Sequence, residues 1–388
     1  MSQSRLSPKF PPLSESEIAK FGLNERDYQR IFVELGRSTN LFETVILTHL
    51  WSERFAPKAA EIFLKTVFRE GGNVIRVLNN NNGFISIGFG EVVALRFKEF
   101  HQDCRREPLI GSQTGLAEIL EEMYAFSEKP IVLLNALAFG NPDKTNVSKN
   151  LQQIIEGLAT FSNNSGIAVP AGELFFNPTY EHLSFVTTAA VTILKEEEIF
   201  RPKEGTKGEV VLYLGSKTSG LKSPKIADPF FSEHIARFIK ELVRSNKLTD
   251  IRPIGVGGLT KAVFDSARAI KKGMKIGLDQ VPTSPKSIPS EEILLSETTE
   301  RFLLITKHST YRELSDTLAS AQISLTMIGE VKEDDNIEFV NQNHTIAVLP
   351  IRLGTRADTD VNYQLARFPP MLRKEKENDN SQQSNLTS

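Results

Sequence analysis

Apolar residues recur along this chain with two periods, and each change of period marks an element. Phe42, Val45, Ile46 and Leu50 stand at helical spacing behind Asn40, which with Glu43 three residues on forms a capping box. Ser14 with Glu17 gives the same start signal for a short helix, and Asn24 caps another that runs to Leu35 and stops at Gly36. The four asparagines at 79–82 lead into FISIGFGEVVALRF, where Gly88 and Gly90 punctuate a predicted hairpin. A helical pattern covers about 115–124, the continuous apolar run IVLLNALAF predicts a buried strand, and a long helix spans Thr145 to Phe161. Strand SFVTTAAVTIL closes this half, and the charged stretch EEEIFRPKEGTKGE, 196–209, reads as a domain boundary.

Beyond that boundary strands and helices alternate. EVVLYLG predicts a strand, Pro229 to Val243 a helix capped by Asp228, IRPIGVGG a strand and turn, and Leu259 to Ile270 a helix. RFLLITK is a strand, a helix starts near Thr310, and QISLTMIGEV is a strand. This alternation predicts α/β layering. No repeat of solenoid period is visible. The expected organisation is a mobile Ser- and Pro-rich arm over 1–13, a first domain over 14–200, a second over 205–370 and a disordered polar tail over 371–388.

Composition narrows the function classes. The 388 residues are 40% hydrophobic and 24% charged, with a formal net charge of −2, which gives no electrostatic argument for nucleic acid or an anionic membrane as partner. No run approaches the length needed to cross a bilayer, and the opening MSQSRLSPKFPP lacks a signal-peptide core, so a cytoplasmic protein is expected. The single cysteine, Cys104, excludes an internal disulfide and reads as a small buried or half-buried thiol rather than a nucleophile. No two of the six histidines have metal-ligand spacing.

Candidate chemistry lies in short polar stretches, each with a plainer reading beside it. GSKTSG, 215–220, offers amides and hydroxyls for a phosphate, or is a flexible turn. GVGGLT, 255–260, places glycines at a helix N-terminus, as an anion site or as a tight turn. LSETTER, 295–301, puts two acids and an arginine beside a strand start, as metal and triphosphate ligands or as a solvated turn. Glu173 in AGELFFNPTY is a metal ligand or a solvent-facing acid, and Asp228 in IADPFF is first of all a helix cap. WSERFAPKAA, 51–60, looks like the rim of a site, but its Arg54 is a permanent cation and a poor proton carrier.

The order of these stretches resembles one family. LGRSTNLFETVILTHLWSERFAPKAA resembles the opening of the synthetase subunit of phosphoribosylformylglycinamidine synthase, the formylglycinamide ribonucleotide amidotransferase of purine synthesis. IVLLNALAFG, GIAVPAGELFFNPTY, GSKTSG, ADPFF, GVGGLT, ILLSETTERFLLI and IGEV follow in the family's order, over about Leu13 to Pro370. The resemblance implies an α/β (α+β) fold: an aminoimidazole ribonucleotide synthetase-like N-terminal domain whose strands form a barrel with a second copy, then a C-terminal α/β domain. Family synthetase subunits carry two such modules and this chain resembles one. A homodimer or a second synthetase-like module is therefore implied as partner, with other purine-pathway subunits beyond it. If the site is intact, the implied cofactors are ATP and Mg²⁺, used to phosphorylate the substrate's amide oxygen before ammonia displaces phosphate; otherwise none is implied.

Residue by residue, the resemblance implies nucleotide or phosphate contacts at Lys58, Gly172, Glu173, Gly215, Thr218, Gly255, Gly258, Ser296, Glu300 and Arg301, and metal ligands at Glu122, Asp228 and Glu297. Other family positions are changed. Arg54 stands for a histidine, Pro57 for a tyrosine, Lys98 for a metal carboxylate and Phe100 for a catalytic imidazole. Asn135 and Ala138 replace an acid and a cation, SKTSGLK lacks its aspartate, and Arg252, Pro253, Ile254 and Gly255 replace a Q-D-M-G run. Backbone-serving glycines and caps remain while proton-transfer and metal-ligand side chains are mostly gone, so no catalytic residue is assigned. The expected protein is a diverged synthase-like binding or scaffold subunit. The alternative is an active half-length C–N ligase completed by a second module. A third reading is another ATP-dependent activity on the same scaffold, with Lys98, Arg105 and Arg106 receiving an anionic substrate.

Overall fold

The computed structural model describes residues 10–52, 54–55, 71–77, 82–126, 128–223 and 225–355. Pro57, Lys58, most of the asparagine turn, most of the expected arm and the tail lie outside the described residues. Helices α1 (Glu15–Ala19), α2 (Glu25–Leu35) and α3 (Leu41–Leu50) open the chain. Each starts at its expected cap, Ser14, Asn24 or Asn40, through a capping box, and Gly36 ends α2 in the left-handed region at φ 66°.

A first sheet follows from β1 (Gly83–Gly88), β2 (Glu91–Glu99), β3 (Val132–Phe139), β4 (Ala168–Phe176) and β5 (Phe185–Lys195), in the order β1-β2-β5-β3-β4. Only β3 and β4 are parallel, as the helix between them requires. The helices are α4 (His101–Arg106) and α5 (Pro108–Phe126), between β2 and β3, and α6 (Thr145–Ser165), between β3 and β4. Helix α5 is longer than its apolar pattern suggests. Pro108 is tolerated in its first turn, and Gly111 and Gly115 are contact points rather than breaks. A Cβ on Gly115 would lie 2.3 Å from the Phe100 ring. Phe84, Val92, Ala94, Leu133, Val186 and Ala190 are buried on the helix-covered face. On the other face Ile85, Phe97, Leu134, Phe175, Phe185 and Ile193 are exposed, and no described element covers them.

The second sheet is larger and mixed. Its elements are β6 (Val210–Gly215), the short β7 (Thr218–Ser219), α7 (Pro229–Arg244), β8 (Leu248–Pro253), α8 (Gly258–Ile270), β9 (Met274–Gly277) and β10 (Thr283–Ser284). Then come α9 (Ser290–Leu295), β11 (Arg301–Thr306), α10 (His308–Ser320), β12 (Leu325–Val331), β13 (Asn336–Asn341) and β14 (His344–Pro350). The strand order is β14-β13-β9-β12-β6-β11-β8, while β7 and β10 pair separately. Leu212, Leu214, Phe302 and Leu304 face one core, and Val211, Tyr213, Leu303 and Ile305 the other. Burial on both faces is why these strands read as unbroken apolar runs. Neither sheet closes into a barrel, and the fold class is α/β as expected.

The first core is shared between the halves: α5 and α6 of the first meet Ile235, Ile239 and Leu242 of α7. The second core joins the opening helices to the second sheet. Ile18, Ile31, Ile46, Leu47 and Trp51 pack not with the first sheet but with Phe264, Ile276, Phe339 and Leu353. The reason is edge protection. Asn40 Nδ2 donates to the Ile346 carbonyl at 2.8 Å, and Glu43 accepts from the Val348 amide at 2.9 Å, with Arg37 paired to Glu43 at 2.7 Å. The capping residues of α3 thus satisfy the outer edge of β14, which would otherwise offer unpaired backbone groups.

Candidate functional site

Helix α5 is apolar nearly all round and buried on most sides, so its acids need partners inside the protein. Glu118 and Glu121, three residues apart, face the second half of the chain. Glu122, one position on, points elsewhere and pairs with Arg96 of β2 at 2.6 Å. The Glu118 carboxylate meets the Lys98 ammonium at 2.6 Å, with side-chain exposures of 1% and 11%. Burial pushes the Glu118 carboxyl up, and Lys98 and then Lys225 pull it back. Glu121 accepts the Glu300 amide at 2.5 Å; burial, and after it the charge of Glu300, pushes its carboxyl well up.

LSETTER supplies the other side. Glu297 is held by Lys225 at 2.6 Å, by Arg54 at 2.8 Å and by the Gly257 amide at 2.9 Å. Burial alone would raise its carboxyl, but Lys225 and then Arg54 outweigh it and hold the group at about 2. Lys225 also reaches Asp103 of α4 at 3.7 Å. Glu300, in the left-handed region at φ 56°, accepts from the Asp228 amide at 3.0 Å and from Ser232 Oγ at 2.9 Å. Burial, with a contribution from Asp228, raises it to about 7, against the pull of Thr299 and Ser232. Arg301 has no exposed surface; it donates to the carbonyls of Thr298, Ile254 and Ser296 and to Thr218 Oγ1. It ties loops together from beneath.

The glycine turns are close to this cluster and are internally engaged. In GSKTSG the amides of Gly215, Ser216, Thr218 and Ser219 donate to Ser324, Glu300, Pro282 and Thr298. Gly215 is at φ 111°, and a Cβ there would lie 2.0 Å from the Glu300 carbonyl. Gly258 begins α8 at φ 63°, and a Cβ on Gly255 would lie 3.0 Å from Glu121. The carboxylate of Glu297 already sits at this helix N-terminus, where the positive end of the helix favours an anion. His49 Nε2 lies 3.2 Å from the Gly257 carbonyl, and burial lowers its imidazole.

The structure therefore brings Glu297, Glu300, Arg301, Ser296, Thr218, Gly215, Gly255 and Gly258 into one region. Asp228 borders this region through its amide, which donates to Glu300, and the other candidates lie elsewhere or are engaged differently. Gly172 and Glu173 lie on β4, where Glu173 is exposed opposite Ala136 on the uncovered side of the first sheet. Asp228 is exposed and caps α7, accepting the Phe230 and Phe231 amides. Phe100, in the imidazole position, is buried core, and Asn135 accepts from Thr188 Oγ1 within the sheet. Sequence reasoning missed Glu118, Glu121, Asp103, Lys225 and His49. The signal for the first two was present: acids in a helix apolar on every side.

Mg²⁺ takes about six oxygen ligands in near-octahedral geometry. Glu122, Asp228 and Glu297 do not converge: each is engaged with a different partner, and no three His, Cys, Asp or Glu side chains among the described residues group as a metal site. Both oxygens of Glu297 already carry cationic donors. These residues do not fit the ion.

This two-sheet architecture, joined at a charged glycine-rich junction, is that of a synthetase-type α/β module. The chain matches the AIR synthase related protein N-terminal domain over residues 79–194 and the C-terminal domain over 206–341, and it belongs to that family. Within the family its one N-terminal and one C-terminal domain match are similar to the phosphoribosylformylglycinamidine synthase subunit PurL. It is 27% identical to that of Deinococcus radiodurans over 88% of this chain and 48% of the relative. It is 28% identical to that of Anaeromyxobacter dehalogenans, over 93% and 50%. The chain thus spans about half the length of the relatives it matches. Thermotoga maritima PurL complexed with ATP superposes with a TM-score of 0.74 at 21% identity, covering 89% of this chain and 58% of that one. The same protein complexed with FGAR gives 0.72 at 21% identity, covering 89% and 59%.

Proposed function

We propose that this chain is a phosphoribosylformylglycinamidine synthase-like component of purine biosynthesis whose own ATP-dependent amide-activation site is degraded, and that it serves as a binding or scaffold subunit. One observation carries the reading. At the junction, the candidate metal ligand Glu297 is neutralised by the chain's own Arg54 and Lys225, and Lys98 neutralises the neighbouring Glu118. Phosphoryl transfer depends on positioning and on charge stabilisation of the transferred group, with little covalent help from the protein. Cations spent on internal carboxylates are withdrawn from that role, and buried Phe100 cannot carry a proton. The test is ADP release from ATP with formylglycinamide ribonucleotide and ammonia, using the purified full chain. Release that depends on both co-substrates would overturn the reading.

A second reading is favoured by a different feature. The uncovered apolar face of the first sheet, with Phe97 and Ile193 about half exposed, suits a homodimer or a second synthetase-like module. An active half-length ligase completed across that face would place Glu173 at the joint. The nucleotide contacts would then come from the retained Gly215, Thr218, Gly255, Gly258, Ser296 and Arg301, with Gly172 across the sheet. Sedimentation of the full chain measures self-association, and addition of candidate second modules to the ADP-release assay decides this reading.

A further inference from the structure

We propose that the charged cluster at the junction is a metal-independent clasp. Lys98, Lys225 and Arg54 supply from side chains the positive charge that a divalent ion would otherwise bring, and they lock the two halves together. The first half contributes Lys98, Asp103, Glu118 and Glu121; the second contributes Lys225, Glu297 and Glu300; Arg54 reaches in from the segment after α3. Contacts that cross directly between the halves at this cluster include Lys225 to Asp103 at 3.7 Å, the Glu300 amide to Glu121 at 2.5 Å, and Thr114 Oγ1 to the Lys225 carbonyl at 2.5 Å. Lys98 anchors Glu118 within the first half at 2.6 Å, and Lys225 and Arg54 anchor Glu297 at 2.6 and 2.8 Å.

The chemistry favours tethered cations over a bound ion. Mg²⁺ gives up its water reluctantly and demands ordered oxygen ligands. An ammonium asks for no coordination geometry, carries three donors and is already attached to the chain. Once Lys98 lies against Glu118, a second cation entering there meets like charge in a water-poor setting. The clasp is thus closed to divalent ions and indifferent to chelators.

The test uses the purified full chain and inorganic salts. Its melting temperature is measured in excess EDTA and in millimolar Mg²⁺, and Mn²⁺ binding is followed by electron paramagnetic resonance. The wild type should melt at the same temperature in both and leave the free Mn²⁺ signal unchanged. Lys98→Met should melt lower in EDTA and recover in Mg²⁺, because Glu118 then lacks the cation in contact with it; Lys98→Arg should behave as wild type. A wild-type melting temperature raised by Mg²⁺, or stoichiometric loss of the Mn²⁺ signal, would overturn the clasp. So would a Lys98→Met protein as stable as wild type in EDTA. If Lys98→Met does not fold, the wild-type measurements alone decide. The clasp builds on the reading of a degraded site yet fails separately from it: turnover sinks that reading, whereas a response to divalent ions sinks the clasp.

Discussion

Glu297 and Glu300 belong to one loop and to one residue type, yet their surroundings drive them in opposite directions. Glu297 sits at the N-terminus of α8 between Lys225 and Arg54 and is held at about 2. Glu300 sits under the first turn of α7, beside Glu121 and with no cation among the described residues in hydrogen-bond contact, and is raised to about 7. Both are buried. The difference shows that burial alone does not set a carboxyl group's charge. Partner cations decide it, and this junction has spent its cations on one side.

The largest effect should come from breaking the Glu297 side. Glu297→Ala leaves Lys225, Arg54 and the Gly257 amide without their anion, and should cost about 4 kcal/mol in denaturant unfolding. The Glu300 side gives a pH signature of opposite sign. Its folded value lies above the ordinary 4.5, so the folded state binds the extra proton. That stability is fully present below about pH 4.5 and is lost as pH rises to about 7. The shift corresponds to about 3 kcal/mol. Glu300→Gln, which keeps an acceptor for the Asp228 amide and Ser232, should flatten the slope between those limits and be the more stable protein above pH 7. A slope unchanged in Glu300→Gln would assign it elsewhere.

Glu297 itself supplies the acid limb. With its folded value depressed from 4.5 to about 2, its contribution is present above pH 4.5 and disappears as pH falls toward 2. Glu297→Gln should remove that limb of the stability profile. Arg54, with a side chain 47% exposed, should matter less: Arg54→Ala is expected to cost about 1 kcal/mol or less in the same unfolding measurement. The smallest effect concerns Cys104, whose thiol is buried and pushed up to about 12. A thiol reagent should leave it untouched until the protein is unfolded.

Local chemistry made much of this fold legible in the sequence. Asn24, Asn40 and Asp228 cap helices where their spacing placed them, and the Gly88 and Gly90 hairpin forms as read. Elements that depend on distant partners were hidden. Strand β4 is an exposed edge with no alternating burial to betray it. The hairpin of β13 and β14 turns at Gln342 and Asn343, both at positive φ, a signal carried by one asparagine and no glycine. The docking of α1–α3 on the second core joins residues some 300 positions apart, such as Trp51 Nε1 and the Leu353 carbonyl at 2.8 Å. At the site, Arg54, Lys98, Glu297 and Glu300 stood out as unusual residues in a familiar order. That Lys98 faces Glu118 followed only from the packing of α5 against the first sheet, and that Lys225 faces Glu297 only from the folding of the second half.

On the proposed reading, internal cations have closed this junction to metal-held triphosphate. The most direct test is a calorimetric titration of the purified full chain with ATP, once in Mg²⁺ and once in EDTA. A junction closed in this way gives no Mg²⁺-dependent heat of binding. Micromolar affinity that appears with Mg²⁺ and vanishes with EDTA would contradict it.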